Sequence, residues 1–350
     1  MALRTVDAVD VIKGIADLCG LDRENISTED FRVIRQSINR RLQTAWEFDL
    51  WPELLRVEKR YFRAAYAAAT TYTASTATVP TEVYFPATGL YYQNVKGSTG
   101  VDPANSSGVT NASNWADSSR SYSASNYSAA TTYATGDKVF YPTTDRYYIL
   151  HTAAVAGTLP TDTTKWGILT DFDPYVAYAQ TGNTAIGSVF TVYSKNPKTT
   201  TRLDELDWFL SENGVQLVSN VNQVWLEYRI RTPLVYGDNY SSTTVYTAAL
   251  AQIYYSSTTA GYRGNFYDCI TTTSAGDSPE SAAAKWSVVS VPLIFQRYLE
   301  LGGHADYLRH TGQPEKADAM EALAVAHLSD QSQLLVGQQG QGSRPLVLSR

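Results

Sequence analysis

Charge is scarce in this chain: Asp, Glu, Lys and Arg together make up 18% of its 350 residues. The formal balance is −6, which excludes a chain-wide basic surface for gripping nucleic acid but not a ring or channel through which DNA passes unheld. Only two cysteines occur, Cys19 and Cys269, one in an expected helix and one in an expected strand. Two thiols are too few for a disulfide framework, so both are read as buried and free. No apolar run reaches the length that spans a bilayer, so no membrane partner is expected. The N-terminus carries no signal-peptide pattern, and a soluble product made in the cytoplasm is expected.

The residues of common catalytic sites are as sparse. Four histidines, His151, His304, His310 and His327, are scattered. His304 and His310 are six apart and share no helical face as a ligand pair would, so structural roles are expected. Asp171, Asp173, Asp204, Glu205 and Asp207 are acids of the kind used in calcium or acid/base sites, yet no Asp-x-Asp-x-Asp-Gly loop holds them together. The glycines between Gly337 and Gly342 lack the strand before and helix after that a phosphate loop requires. Neither a Gly-x-Ser-x-Gly nor a P-loop occurs. The reading is no catalytic residue, no metal site, no cofactor and no enzyme.

What the chain has in quantity is tyrosine, 25 residues, within a Ser- and Thr-rich middle. Two stretches there read almost as copies: Val83-Tyr84-Phe85-Pro86-Ala87-Thr88-Gly89-Leu90-Tyr91-Tyr92 and Val139-Phe140-Tyr141-Pro142-Thr143-Thr144-Asp145-Arg146-Tyr147-Tyr148. Each follows Ala-Thr-Thr-Tyr, ending at Tyr72 and Tyr133, and precedes a Pro and then a Trp. A third, divergent copy covers about 240–286, with Tyr246, Tyr254-Tyr255, Phe266-Tyr267, Pro279 and Trp286. Internal repeats of this size mark modular architecture.

The ends differ from the middle. Val9, Ile12, Ala16 and Cys19 recur at helical spacing up to Gly20, and Ser27-Thr28-Glu29-Asp30 opens a second helix with the stripe Phe31, Ile34, Ile38, Leu42 and Trp46. Trp46, Phe48, Leu50, Trp51, Leu54 and Leu55 form an apolar knot around Pro52. Two later segments, Gly187–Tyr193 and Gln223–Arg231, alternate as strands, with a short helix or turn between Arg202 and Leu210 and a turn at Asn213-Gly214. Pro292 is read as a first helical position, with a helix that stops at Gly302-Gly303, and Pro314 opens another through Leu328.

The expected fold class is therefore α+β, a discontinuous helical-bundle core with a small β region plus three small inserted β modules. The boundaries are 1–66, 171–239 and 287–330 for the core, 67–118, 119–170 and 240–286 for the modules, and 331–350 for an extended C-terminal tail. Adjacent tyrosines point to opposite faces of a strand, so at most one of each pair is expected to be buried.

The second repeat resembles chitin-binding-type carbohydrate-binding modules, through Tyr133-x-x-Gly136-Asp137-x-Val139-x-Tyr141, Tyr147-Tyr148, Pro160 and Trp166. The first and third lack the Gly-Asp before their first strand. This resemblance implies a candidate glycan-binding surface at Tyr133, Tyr141, Tyr147, Tyr148 and Trp166, or a plain contact surface.

About half of the chain resembles the head-to-tail adaptor (neck) proteins of tailed bacteriophages. The match lies in the helical pair with its Trp46-x-x-x-x-Trp51-Pro52 corner, the Ile186–Pro197 and Val224–Pro233 segments, and the helix from Pro314 before a Gln/Gly-rich tail. The resemblance implies a homo-oligomeric, dodecameric ring in the virion neck, joined to a portal protein and to a tail or stopper protein, with DNA passing through without specific binding. The tail residues Leu334, Leu335, Val336, Arg344, Leu346, Val347 and Leu348 would dock into the portal. A carbohydrate-binding surface or tail-fibre-type protein is the alternative reading.

Overall fold

Ser27 accepts the Asp30 amide at 3.1 Å and so caps the helix that the following apolar stripe predicts. The computed structural model describes residues 4–23, 26–180, 184–200, 204–248, 251–257 and 264–339. Among these, α1 is Ala8–Cys19, α2 Thr28–Phe48, α3 Gln296–His310 and α4 Pro314–Gln339. Gly20 ends α1 at φ 71°, where the Leu21 amide reaches back to the Ala16 carbonyl at 2.9 Å.

The helices pack around α3, which touches each of the other three. One apolar core joins Val11, Ile12 and Ile15 of α1, Ile34, Ile38 and Leu42 of α2, Phe295 and Leu299 at α3, and Ala324 and Leu328 of α4. Trp46 and Trp51 close its end, their rings 6.0 and 5.2 Å from Phe295. Their indole N–H groups donate to the Ile230 and Ala45 carbonyls. Phe48 and Leu50, read as part of the same knot, are exposed instead. Strand Thr5–Asp7 pairs antiparallel with Ser290–Pro292, tying the start of the chain to the approach of α3.

The chain divides into two compact units, one of residues 1–55 with 230–350 and one of residues 56–229. This division and the strand count correct the expected fold class. The described residues form twenty strands in seven small sheets and only four α-helices, so β-structure dominates and the molecule is not a helical bundle with a small β region. The physical reason lies in the Thr- and Tyr-rich middle. Its short strands build several sheets that each bury one or both faces, and the third repeat is built into the helical unit.

Two helix expectations also change. Pro292 ends a strand, and α3 begins only at Gln296 after a 3-10 turn. Gly302-Gly303 does not stop the helix, which continues to His310. A Cβ on Gly302 would lie 2.5 Å from Arg41 Cδ, and one on Gly303 2.4 Å from Ile15 Cδ1. The pair is there to let α2 and α1 approach the backbone of α3. Where a short helix or turn is expected from Arg202 to Leu210, the described residues 204–210 hold an isolated bridge at Glu205 and the strand Trp208–Leu210. That strand forms a hairpin with Gly214–Leu217 across the expected turn.

The three repeats share one architecture. Each is an antiparallel meander: Glu82–Phe85, Leu90–Asn94 and Trp115–Asp117; Lys138–Tyr141, Arg146–Leu150 and Trp166–Leu169; Gln252–Tyr255, Asn265–Cys269 and Trp286–Val288. Their registers correspond residue by residue. Val83, Val139 and Ile253 face Tyr92, Tyr148 and Tyr267, and a Trp opens every third strand. The first two repeats pack on each other within their unit. A Cβ on Gly167 would sit 2.5 Å from the Val95 carbonyl oxygen.

Candidate functional site

Alternation along each meander gives it two faces. One builds the repeat's own core, from Val139, Tyr148, Leu150 and Trp166 in the second repeat and the matching residues in the others. The other is covered by neighbours. Tyr91 lies between Phe62 and Phe172, at 5.6 and 4.9 Å, and donates its hydroxyl to the Asn222 carbonyl at 2.5 Å. Tyr147 packs with Tyr122 beside the first repeat's Val95 and Ala116. Phe266 stacks on Phe31 of α2 at 6.0 Å. Because both faces are covered, Tyr91 and Tyr92 are both buried, at 6% and 1% exposure, against the expectation of one per pair.

At the rim of each repeat's own core stands the same array of rings. Tyr133 stacks on Tyr127 at 5.7 Å and meets Trp166 edge-on at 5.4 Å. Tyr72, Tyr66 and Trp115 repeat these distances at 5.5 and 5.3 Å, and Tyr246, Tyr240 and Trp286 at 5.9 and 5.4 Å. The hydroxyls of Tyr72, Tyr133 and Tyr246 accept the amides of Ala67, Ser128 and Ser241, each at 2.8 Å. A third ring, Phe85, Tyr141 or Tyr255, meets Tyr66, Tyr127 or Tyr240 respectively edge-on at 5.4–5.7 Å.

The candidate residues therefore divide. Trp166 and Tyr148, at 2% and 7% exposure, are core residues and offer no stacking surface. Tyr147 lies on the covered face. Tyr133 and Tyr141 are half-buried beside Tyr127, and these three rings present an accessible aromatic edge. Tyr127, Tyr66 and Tyr240 were missed by the sequence reading. Their signal is a Tyr-x5-Tyr spacing at 66/72, 127/133 and 240/246. Burial pushes the Tyr66, Tyr127 and Tyr240 phenols upward, so all remain neutral near pH 7.

The scattered acids and histidines stay apart. Asp171 accepts the Tyr122 amide at 3.2 Å, and Asp204 pairs with Lys195 at 3.1 Å. The His151 ring sits between Thr152 Oγ1 and the Thr163 carbonyl at 2.9 and 3.3 Å, buried and lowered in pKa by that burial. Among the described residues no group of three or more His, Cys, Asp or Glu side chains is placed to hold a metal.

The expected tail begins later than residue 331, because α4 runs on to Gln339. Leu334 is 59% exposed, Leu335 is half-buried against the helical core, and Val336 is in the last turns of the helix. The Ser332 hydroxyl donates to Asp49, fastening this end of α4 to the end of α2. Arg344, Leu346, Val347 and Leu348 lie outside the described residues. No protein-family model matches the chain, and no curated protein matches it.

Proposed function

We propose that this chain is a structural virion protein, a head-to-tail adaptor whose copies form a ring beneath the portal of a tailed phage, and that it performs no catalysis. The observation that carries the reading is the helical unit itself. Segments from both halves of the chain build one core around α3, and near the end of α4 Leu335 packs on that core while Leu334 is exposed. A body whose two ends share one core, with Leu334 exposed near the end of α4, suits a part that is gripped. The net charge of −6 suits a conduit, since a lining that repels phosphate lets DNA slide.

The repeats serve this reading as contact surfaces on the virion, and the aromatic edge of Tyr127, Tyr133 and Tyr141 gives them a candidate affinity for sugar rings. That edge, with half-buried tyrosine pairs at Tyr66 and Tyr72 and at Tyr240 and Tyr246 in the other two repeats, is what favours the alternative of a carbohydrate-binding surface or tail-fibre-type protein. The deciding experiment co-expresses the full chain, or a version ending at residue 330, with a portal protein from the same genome, and images the products. Rings attached by the full chain and lost by the truncated one support the adaptor. Attachment unaffected by the truncation, or trimers without portal attachment, overturns it.

A further inference from the structure

We propose that the helical unit carries a binding site for a small apolar zwitterion, an amino acid with an aromatic or aliphatic side chain. The site is a cavity of about 380 Å³ between the start of α2 and the third repeat, a volume within the range of small-molecule sites. Ile26, Phe31 and Tyr254 give it apolar walls, and the two rings meet edge-on at 5.4 Å. Its charged lining is Arg32, Arg35 and Asp238. Arg32 already holds Glu29, at 3.1 and 2.6 Å. Arg35 is half-buried and donates to the Gly237 carbonyl at 3.3 Å, and it meets no carboxylate among the described residues. The Asp238 carboxylate likewise has no hydrogen bond or ion pair there. One cavity thus holds a cation and an anion that neither pair with each other nor with a neighbour.

The walls are fixed without a ligand. The Asn39 side chain of α2 bonds both the carbonyl and the amide of Val235 at 2.8 Å. Gln252 Oε1 accepts the Tyr236 and Gly237 amides at 2.8 and 3.1 Å, and a Cβ on Gly237 would lie 2.7 Å from the Ile253 nitrogen. Such preorganisation lowers the cost of binding. The acid is also peculiar to this repeat. Two residues before Tyr66 and Tyr127 stand Ala64 and Ser125, on segments that pair with Tyr84 and Phe140 as Asn239 pairs with Tyr254. A simple anion would answer Arg35 and be repelled by Asp238, and a simple cation the reverse. A zwitterion answers both, its carboxylate on Arg35 and its ammonium on Asp238, with its side chain against Phe31 and Tyr254. This binding is independent of any role in the virion.

Calorimetric titration of the full chain at about pH 7, where both charges are present, tests the site with L-phenylalanine, phenylpropionate and phenethylamine. L-Phenylalanine is expected to bind with a Kd of about 1 mM or tighter. The other two, each lacking one charge, should bind at least about tenfold more weakly. Arg35→Gln should reduce the affinity for L-phenylalanine to that of phenethylamine, and Asp238→Asn to that of phenylpropionate. Asp238 is exposed, so its variant stays informative should the Arg35 variant fail to fold. Absence of L-phenylalanine binding at about 10 mM, equal binding of the three compounds, or an unchanged affinity in either folded variant overturns the proposal.

Discussion

An added methyl group is enough to test how closely the helices approach. Alanine at either Gly302 or Gly303 gains about 1 kcal/mol of helix propensity. At Gly303 the new Cβ meets the far end of Ile15, a side chain that gives way at an overpacking cost of about 1–3 kcal/mol. At Gly302 it meets Arg41 at Cδ, Nε and Nη1, and moving that guanidinium disturbs its bonds to Asp306 and Glu321. Breaking a buried pair costs about 3–5 kcal/mol. Urea unfolding should therefore rank Gly302→Ala as clearly more destabilising than Gly303→Ala, and equal effects would refute this account of the pair. The thiols give a second residue-scale test. Burial, then the nearby Asp30, pushes Cys19 up to about 12, and burial raises Cys269 too. At pH 8 an ordinary thiol is about a quarter ionised, so Cys19 in the native protein should react on the order of a thousandfold slower with a disulfide reagent. Cys19 is half-buried, not buried as expected, while Cys269 is buried, and fast labelling of Cys19 before any denaturant is added would contradict its raised pKa.

At the scale of elements, the repeated ring array makes a prediction that must hold three times. Tyr72→Phe, Tyr133→Phe and Tyr246→Phe each remove one acceptor for a backbone amide and should cost about 0.5–1.5 kcal/mol. The alanine replacements also lose a ring stacked on one tyrosine and set edge-on to a tryptophan, and should cost about 3–5 kcal/mol. Thermal unfolding of the six variants should give the same order in each repeat; a repeat in which alanine is no worse than phenylalanine is not built on this array. The meanders were legible because alternation and the Tyr-Tyr, Pro and Trp landmarks are local. The Tyr-x5-Tyr spacing is equally local, but it lies largely outside the Gly136-Asp137 signature that carries the resemblance. What covers the second face of each meander was not legible. Phe62, Phe172 and Phe31 reach Tyr91 and Phe266 only through long-range packing. The glycine pair in α3 misled for a related reason, since a helix stop and a close helix contact call for the same residue type.

At the scale of the whole molecule, the carboxylates around Arg41 in the helical unit and Glu82 in the β unit are displaced in opposite directions, and acid should act on the two places oppositely. In the helical unit, burial alone would raise Asp306, but hydrogen bonds from Arg41 and Ser37 outweigh it and hold the carboxyl low. Glu321 is held low chiefly by Arg41, with Arg309 adding to it. A carboxyl lowered by folding contributes stability that is present above its unfolded value of about 4 and is lost as pH falls through the folded one. In the β unit, burial raises Glu82, and Arg63 at 2.7 Å only partly offsets this. A carboxyl raised by folding contributes in the reverse sense: its stabilisation is present below the unfolded value and is lost as pH rises through the folded one. Between pH 7 and pH 3 the Arg41 cluster that ties α2, α3 and α4 together should thus weaken, while the Glu82 contribution moves in favour of its own strands. Hydrogen exchange, corrected for intrinsic rates, should show α2, α3 and α4 losing protection at a higher pH than Glu82–Phe85 and Leu90–Asn94. Glu82→Gln should remove the opposing slope from the β unit and leave the acid sensitivity of the helices unchanged. If the strands around Glu82 open first as the pH is lowered, the opposed displacements do not govern acid unfolding.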